Sequence, residues 1–145
     1  MEVYSIGFTK KKAEQFFGLL KGAGIRRLLD VRLNNVSQLA GFAKRGDLPY
    51  FLREICGAEY VHEPMLAPTQ QMLDNYKKRK GPWEEYERGF LALMMERRIE
   101  DKLNKSILTL PTALLCSEPL PQHCHRRLVL EYLQRKWSDL TIRHL

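Results

Sequence analysis

The chain has 145 residues, of which 44% are apolar and 28% charged, and carries a formal net charge of +7. That length suits one domain able to bury its own core, and the composition excludes a disordered or fibrous protein. The longest apolar run, Phe90 to Met95, falls far short of the roughly 20 residues a membrane span needs, and Met1-Glu2-Val3-Tyr4-Ser5 lacks the basic and apolar regions of a signal peptide.

Val3 to Phe8 reads as a short buried strand, and Thr9 is placed to cap the helix that follows. Ala13, Phe16, Phe17 and Leu20 share one face of that helix, and Gly22 and Gly24 stop it. Leu28 to Leu33 is a second strand, so the first 33 residues form a βαβ unit with parallel strands. Asn34 to Gly46 lacks periodicity and reads as a loop with some local structure. Asp47 is placed to cap a short helix carrying Leu48, Phe51, Leu52 and Ile55 on one face, ended by Gly57. Tyr60 to Met65 is a third strand. Thr69 then caps a polar helix through Lys78, and Pro82 opens a longer one with Trp83, Tyr86, Phe90, Leu93 and Met94 in a stripe that reads as core. Thr112 to Glu118 holds a fourth buried strand. Pro119 and Pro121 force an extended loop, His123 to Lys136 is the last long helix, and Thr141 to Leu145 is a fifth strand. This alternation predicts a single α/β domain over 1–145, with a mostly parallel sheet of about five strands and helices on both faces.

In such sheets ligands bind beyond the carboxyl ends of the strands. Polar groups gather there: Asp30 and Arg32 on the second strand, His62 and Glu63 on the third, Cys116 and Glu118 on the fourth. An unpaired charge in a core is costly. These residues therefore form either a shared pocket or an internal ion-pair network, such as Asp30 with Arg126. The densest constellation is Cys116-Ser-Glu-Pro-Leu-Pro-Gln-His-Cys124-His-Arg-Arg. It sets Cys124, His125, Arg126 and Arg127 in the first turns of a helix, where free N–H groups and the helix dipole favour an anion and a thiolate. Gln122 stands six residues after Cys116, so the Cys-x5-Arg loop of thiol phosphatases and sulfurtransferases is absent. A zinc site could draw on Cys116, Cys124 and His125 or His123, but the cysteines lack the close pairing usual in tetrahedral sites, and no metal is expected. An odd cysteine count, Cys56, Cys116 and Cys124, reads as reduced thiols in a cytoplasmic protein.

These residues also carry a resemblance. Ser-Ile-Gly-Phe-Thr at 5–9, Asp-Val-Arg at 30–32, Gly-Phe-Ala-Lys at 41–44 and Tyr-Val-His at 60–62 are part of it. With Leu-Leu-Cys-Ser-Glu at 114–118 and Cys-His-Arg-Arg at 124–127, the chain resembles the prokaryotic family catalogued as domain of unknown function 488 over nearly its whole length. The resemblance implies a small α/β domain and a site drawn from Asp30, Arg32, Lys44, His62, Cys116, Glu118, Cys124, His125 and Arg126. It implies no activity and names no cofactor. Many members carry a basic residue near Gln38, and its absence here would weaken an anion clamp in that loop.

Three functional readings stay open. The first is an enzyme acting on a phosphorylated or nucleic-acid-derived anion. Arg32, Lys44, Cys124 and Arg126 would hold the substrate, Asp30 or Glu118 would act as general base or bind a metal ion, His62 or His125 would move a proton, and Cys116 would supply a thiol. The second is a noncatalytic nucleic-acid-binding module using the basic loop from Arg26 to Arg45 with Phe42 and Tyr50. The third is a structural or redox-sensing protein without substrate. The positive charge favours an anionic small molecule or nucleic acid as partner and no membrane, although Lys10-Lys11-Lys12 and Lys77-Lys78-Arg79-Lys80 also read as solvated surface. The sequence sets no oligomeric state.

Overall fold

The computed structural model describes residues 1–36 and 40–145. Gln38, singled out above, and the middle of the Asn34–Gly46 loop lie outside the described residues. Strands β1 (Glu2–Gly7), β2 (Arg27–Asp30), β3 (Glu59–His62), β4 (Thr112–Cys116) and β5 (Thr141–His144) form one sheet in the order β3-β2-β4-β1-β5. Every pairing is parallel. Parallel strands need crossovers, and helices supply them on both faces. Helix α1 (Ala13–Gly22), the short α2 (Leu48–Phe51) and the turn that follows it pack Phe16, Phe17, Leu20, Leu48 and Leu52 against Ile6, Leu28 and Leu115. The other face meets α4 (Trp83–Arg97) and α6 (His125–Lys136), which bring Phe90, Met94, Leu128 and Leu133 onto Val3, Leu29 and Leu114. The small helices α3 (Gln70–Leu73) and α5 (Ile99–Lys102) flank α4 in sequence.

Several boundaries differ from the sequence reading, each for a local reason. Thr9 does not cap α1, which has Lys12 at that position. Its amide and hydroxyl instead donate to the Ser117 carbonyl at 3.1 and 2.6 Å, tying the end of β1 to the loop after β4. Strand β2 ends at Asp30; Val31 N still donates to the Leu115 carbonyl at 3.1 Å, and the Asp30 carboxylate then accepts the Arg32 amide at 3.1 Å in a turn. Strand β3 ends at His62, and the Glu63 carboxylate accepts from Met65 N at 3.3 Å to start a tight turn over Pro64–Leu66. Asp47 offers α2 no side-chain cap, and α2 runs into a π-helical turn, Leu52–Cys56, ended by Gly57 in the left-handed region at φ 62°. Thr69 does cap α3, accepting from Met72 N at 3.2 Å. A second π-helical turn, Asp74–Lys78, follows. Pro82 precedes α4 rather than opening it, and α6 starts at His125 because Cys124 is extended and occupies the N-cap.

Helix α1 leaves β1 toward β2 on one face, while α6 leaves β4 toward β5 on the other. Adjacent strands β1 and β4 thus send their chains opposite ways, which is where a parallel sheet opens a crevice at its carboxyl end. Gly7 ends β1 there, and the loop after β4 lies directly on it. A Cβ at residue 7 would sit 1.6 Å from the Glu118 carbonyl oxygen.

Candidate functional site

The strand-end residues fall on two sides of the sheet. Asp30 is in register with Leu115 and His62, and Leu115 packs toward α1 and α2. Cys116, one residue further along β4, belongs to the face covered by α4 and α6. Successive side chains on a strand alternate, so one residue of register separates two environments.

On the α1 side, Asp30 is fully buried and saturated with donors. Arg32 grips it with two parallel bonds, Nε at 2.9 Å and Nη2 at 2.8 Å. Tyr60 donates its hydroxyl at 2.5 Å, and Asn35 Nδ2 donates to Tyr60 at 3.0 Å. Arg32 Nη2 also donates to the Ala43 carbonyl at 2.8 Å, and the guanidinium lies 5.0 Å from the Phe8 ring centroid. Burial works against the charge on Arg32, but the Asp30 bonds and charge outweigh it and hold the guanidinium above its ordinary value. Burial and the Asp30 bond push the Tyr60 phenol up. His62 Nε2 meets the Arg32 carbonyl at 2.8 Å and so donates to it. The ion pair of the buried network is therefore Asp30–Arg32, not Asp30–Arg126.

On the α6 side, Cys116, Cys124 and His125 are all buried, with one donor atom from each within 4.8 Å of the others. His125 Nε2 lies 2.7 Å from the Val31 carbonyl, which can only accept, so Nε2 carries the proton and Nδ1 faces Cys116 Sγ at 3.5 Å. The hydrogen bond from Cys124 brings the Cys116 thiol below its usual range; burial opposes this, and the Ser117 and Glu118 amides and the Arg126 charge assist. Cys124 is pushed well up by burial and then by Cys116. Burial also lowers His125. All three cysteines are free thiols.

These three residues line a cavity of about 350 Å³. Its walls include Arg32 and Lys77 on one hand and Trp83 and Tyr86 on the other. Trp83 stacks between His123, at 5.0 Å, and Tyr86, at 5.2 Å. The Glu118 carboxylate pairs with Lys77 at the rim. Arg32 is 3% exposed yet lines the cavity, and its Nη1 has no partner among the described residues.

Of the residues expected at the site, Arg32, Cys116, Glu118, Cys124 and His125 meet at this cavity. Asp30, Lys44, His62 and Arg126 do not line it. Asp30 and His62 reach it only through Arg32. Arg126 is 0% exposed and bonds neutral groups, Ser5 Oγ at 3.1 Å and the Glu118 carbonyl at 2.7 Å, with Nη2 unpartnered among the described residues. It holds the loop after β4 in place from beneath. Phe42, expected on the surface, packs on Phe16 and Phe17 at 5.2 and 5.7 Å.

A family model, Domain of unknown function DUF488, matches residues 12–133. The chain belongs to the DUF488 family. No curated protein and no solved structure matches it. In this DUF488 chain, sequence reasoning missed Tyr60, Lys77, Trp83 and Tyr86, and named His123 only as an alternative metal ligand. Tyr60 looked like an ordinary strand aromatic, Lys77 sat in a basic run read as surface, and Trp83 and Tyr86 belonged to a stripe read only as core. One usable signal was the crowding of Tyr76, Trp83 and Tyr86 around the basic run at 77–80.

Proposed function

We propose that this DUF488 protein is an enzyme that acts on a small phosphorylated or nucleic-acid-derived anion in the cavity beyond β2 and β4. One observation carries this reading: Arg32 lines a solvent-connected cavity, and its buried guanidinium has no partner for Nη1 among the described residues. A buried polar group without a partner is costly, and an oxyanion at this point would satisfy it. The start of α6 adds free N–H groups and partial positive charge beside Cys124 and His125. Lys77 supplies a second cation from the rim, and Trp83 and Tyr86 supply an aromatic wall suited to a planar ring. Within this reading the half-buried Glu118, at the cavity rim, is the acid–base group. Asp30, His62 and Arg126 act through others, the first two on Arg32 and the last on the Glu118 backbone. Reduced Cys116 and Cys124 suit work in the cytoplasm.

The test is calorimetric titration of inorganic phosphate and then nucleoside monophosphates into wild type and Lys77→Ala. Losing a charged hydrogen bond costs about 1.5–3 kcal/mol, so affinity should fall about tenfold or more. Wild type that binds no anion at millimolar concentration would overturn the proposal.

A further inference from the structure

The cluster of Cys116, Cys124 and His125 has a donor set that the anion site does not need. It combines two sulfurs with one imidazole, all buried, yet all three residues border the cavity. We propose that these residues bind zinc, or a divalent transition metal of similar softness, with the fourth coordination position open to the cavity.

Three observations carry this. The first is the donor chemistry: thiolate and imidazole are the ligands that zinc selects, and three protein ligands with one open position is the pattern of catalytic sites. The second is spacing. Bonds of about 2.3 Å to sulfur and 2.0–2.1 Å to nitrogen at a tetrahedral angle place those two donors about 3.5 Å apart. Cys116 Sγ and His125 Nδ1 stand 3.5 Å apart. The third is the outer contact of the imidazole. Nε2 donates to the Val31 carbonyl at 2.7 Å, which fixes the ring and leaves the Nδ1 lone pair toward the sulfurs. A histidine that ligates a metal almost always has such a partner on its other nitrogen.

The spacing in sequence argues against such a site, but the fold closes the gap, because Cys116 comes from a strand end and the other two from the start of a helix. The competing arrangement is metal-free, with Cys124 donating to Cys116 and Cys116 donating to Nδ1. The ion site stands on its own geometry. Only its use by an anionic substrate, through the open fourth position, rests on the function proposed above.

The experiment uses the full chain, reduced, stripped with chelator and titrated with Co²⁺ and then Zn²⁺. The expected result is one cobalt per chain, with thiolate-to-cobalt charge-transfer absorption and tetrahedral visible bands that equimolar zinc abolishes. Cys116→Ser and Cys124→Ser should each weaken cobalt binding by about tenfold or more, while Cys56→Ser leaves it unchanged. If the first two variants fail to fold, X-ray absorption of zinc-loaded Cys56→Ser decides. Two sulfurs and one imidazole in the first shell support the site, and a shell of only oxygen and nitrogen overturns it. Absence of the charge-transfer band in wild type, or unchanged affinity in both serine variants, also overturns it. Phosphate titrated into the stripped and zinc-loaded chains separates the two ideas. Anion binding without any metal uptake defeats the ion site alone, and metal uptake without anion binding defeats the functional reading alone.

Discussion

Two buried polar clusters sit at the carboxyl end of the same sheet and solve opposite problems. Around Asp30, every carboxylate oxygen is met by a donor from Arg32 or Tyr60, and Asn35 extends the network. Around Cys116, the groups are soft, few in partners and open to a cavity. Satisfied networks fix a single packing, whereas groups left short of partners have chemistry to spare. Arg32 belongs to both, because Nε and Nη2 serve Asp30 while the residue also lines the cavity, with Nη1 buried and unpartnered among the described residues. The closed cluster thereby fixes one wall residue of the open one.

The comparison breaks first at its closed side. Asp30→Ala should leave the Arg32 charge buried without its carboxylate, a change that costs about 3–5 kcal/mol. Urea unfolding measures it, and a loss below about 1 kcal/mol would show that the pair does not hold the strand ends together. Tyr60→Phe removes one hydrogen bond to the same carboxylate and should cost about 1.5–3 kcal/mol in the same measurement.

Gly7→Ala attacks the boundary between the clusters. Its Cβ would overlap the Glu118 carbonyl oxygen and approach Arg126 Nη1 to 3.1 Å. Backbone cannot yield as a side-chain tip can, so the loop after β4 should shift, at a cost of about 1–3 kcal/mol. Phosphate affinity should fall with it, and unchanged affinity would detach that loop from the site. Cys116→Ala should cost about 1 kcal/mol, near the average for any substitution. A loss as large as that of Asp30→Ala would make the open cluster structural too.

The smallest expected effect is a slope. His144 lies below its ordinary value because of burial and then the Arg126 charge; Glu131 opposes this and Arg127 adds to it. A histidine kept neutral in the folded state contributes stability that is complete above the unfolded value near 6.5. That contribution is lost as pH falls through this value toward the folded one, because the unfolded chain takes up the proton first. Wild type should therefore lose melting temperature between about pH 7 and 5 more steeply than His144→Asn. Equal slopes would remove His144 from the account.

Much of this architecture is legible in the residues. Apolar runs such as Leu28–Leu29 and Ala113–Leu114–Leu115 give the strands, and charges at Asp30 and Arg32 in a buried run announce a special end. The face each end residue takes is not legible, because it depends on register: Asp30 pairs with Leu115 rather than with Cys116. The π-helical turns at 52–56 and 74–78 are equally silent, since a widened turn keeps a helix-like apolar pattern while moving Lys77 to the rim. Trp83 and Tyr86 show why a helical stripe is an incomplete signal. The same faces that pack on Tyr76 and Phe90 also wall the cavity.

The most direct test is a nitrogen–proton correlation spectrum of the labelled chain during titration with a nucleoside monophosphate. Saturable shifts are predicted for the amides of Ser117, Glu118 and residues 123–125 and for the Trp83 indole, with those of Tyr50 and Arg53 unmoved. Shifts confined to the basic stretch from Arg26 to Arg45 and to Tyr50, with the cavity silent, would contradict the account and favour a noncatalytic nucleic-acid-binding surface.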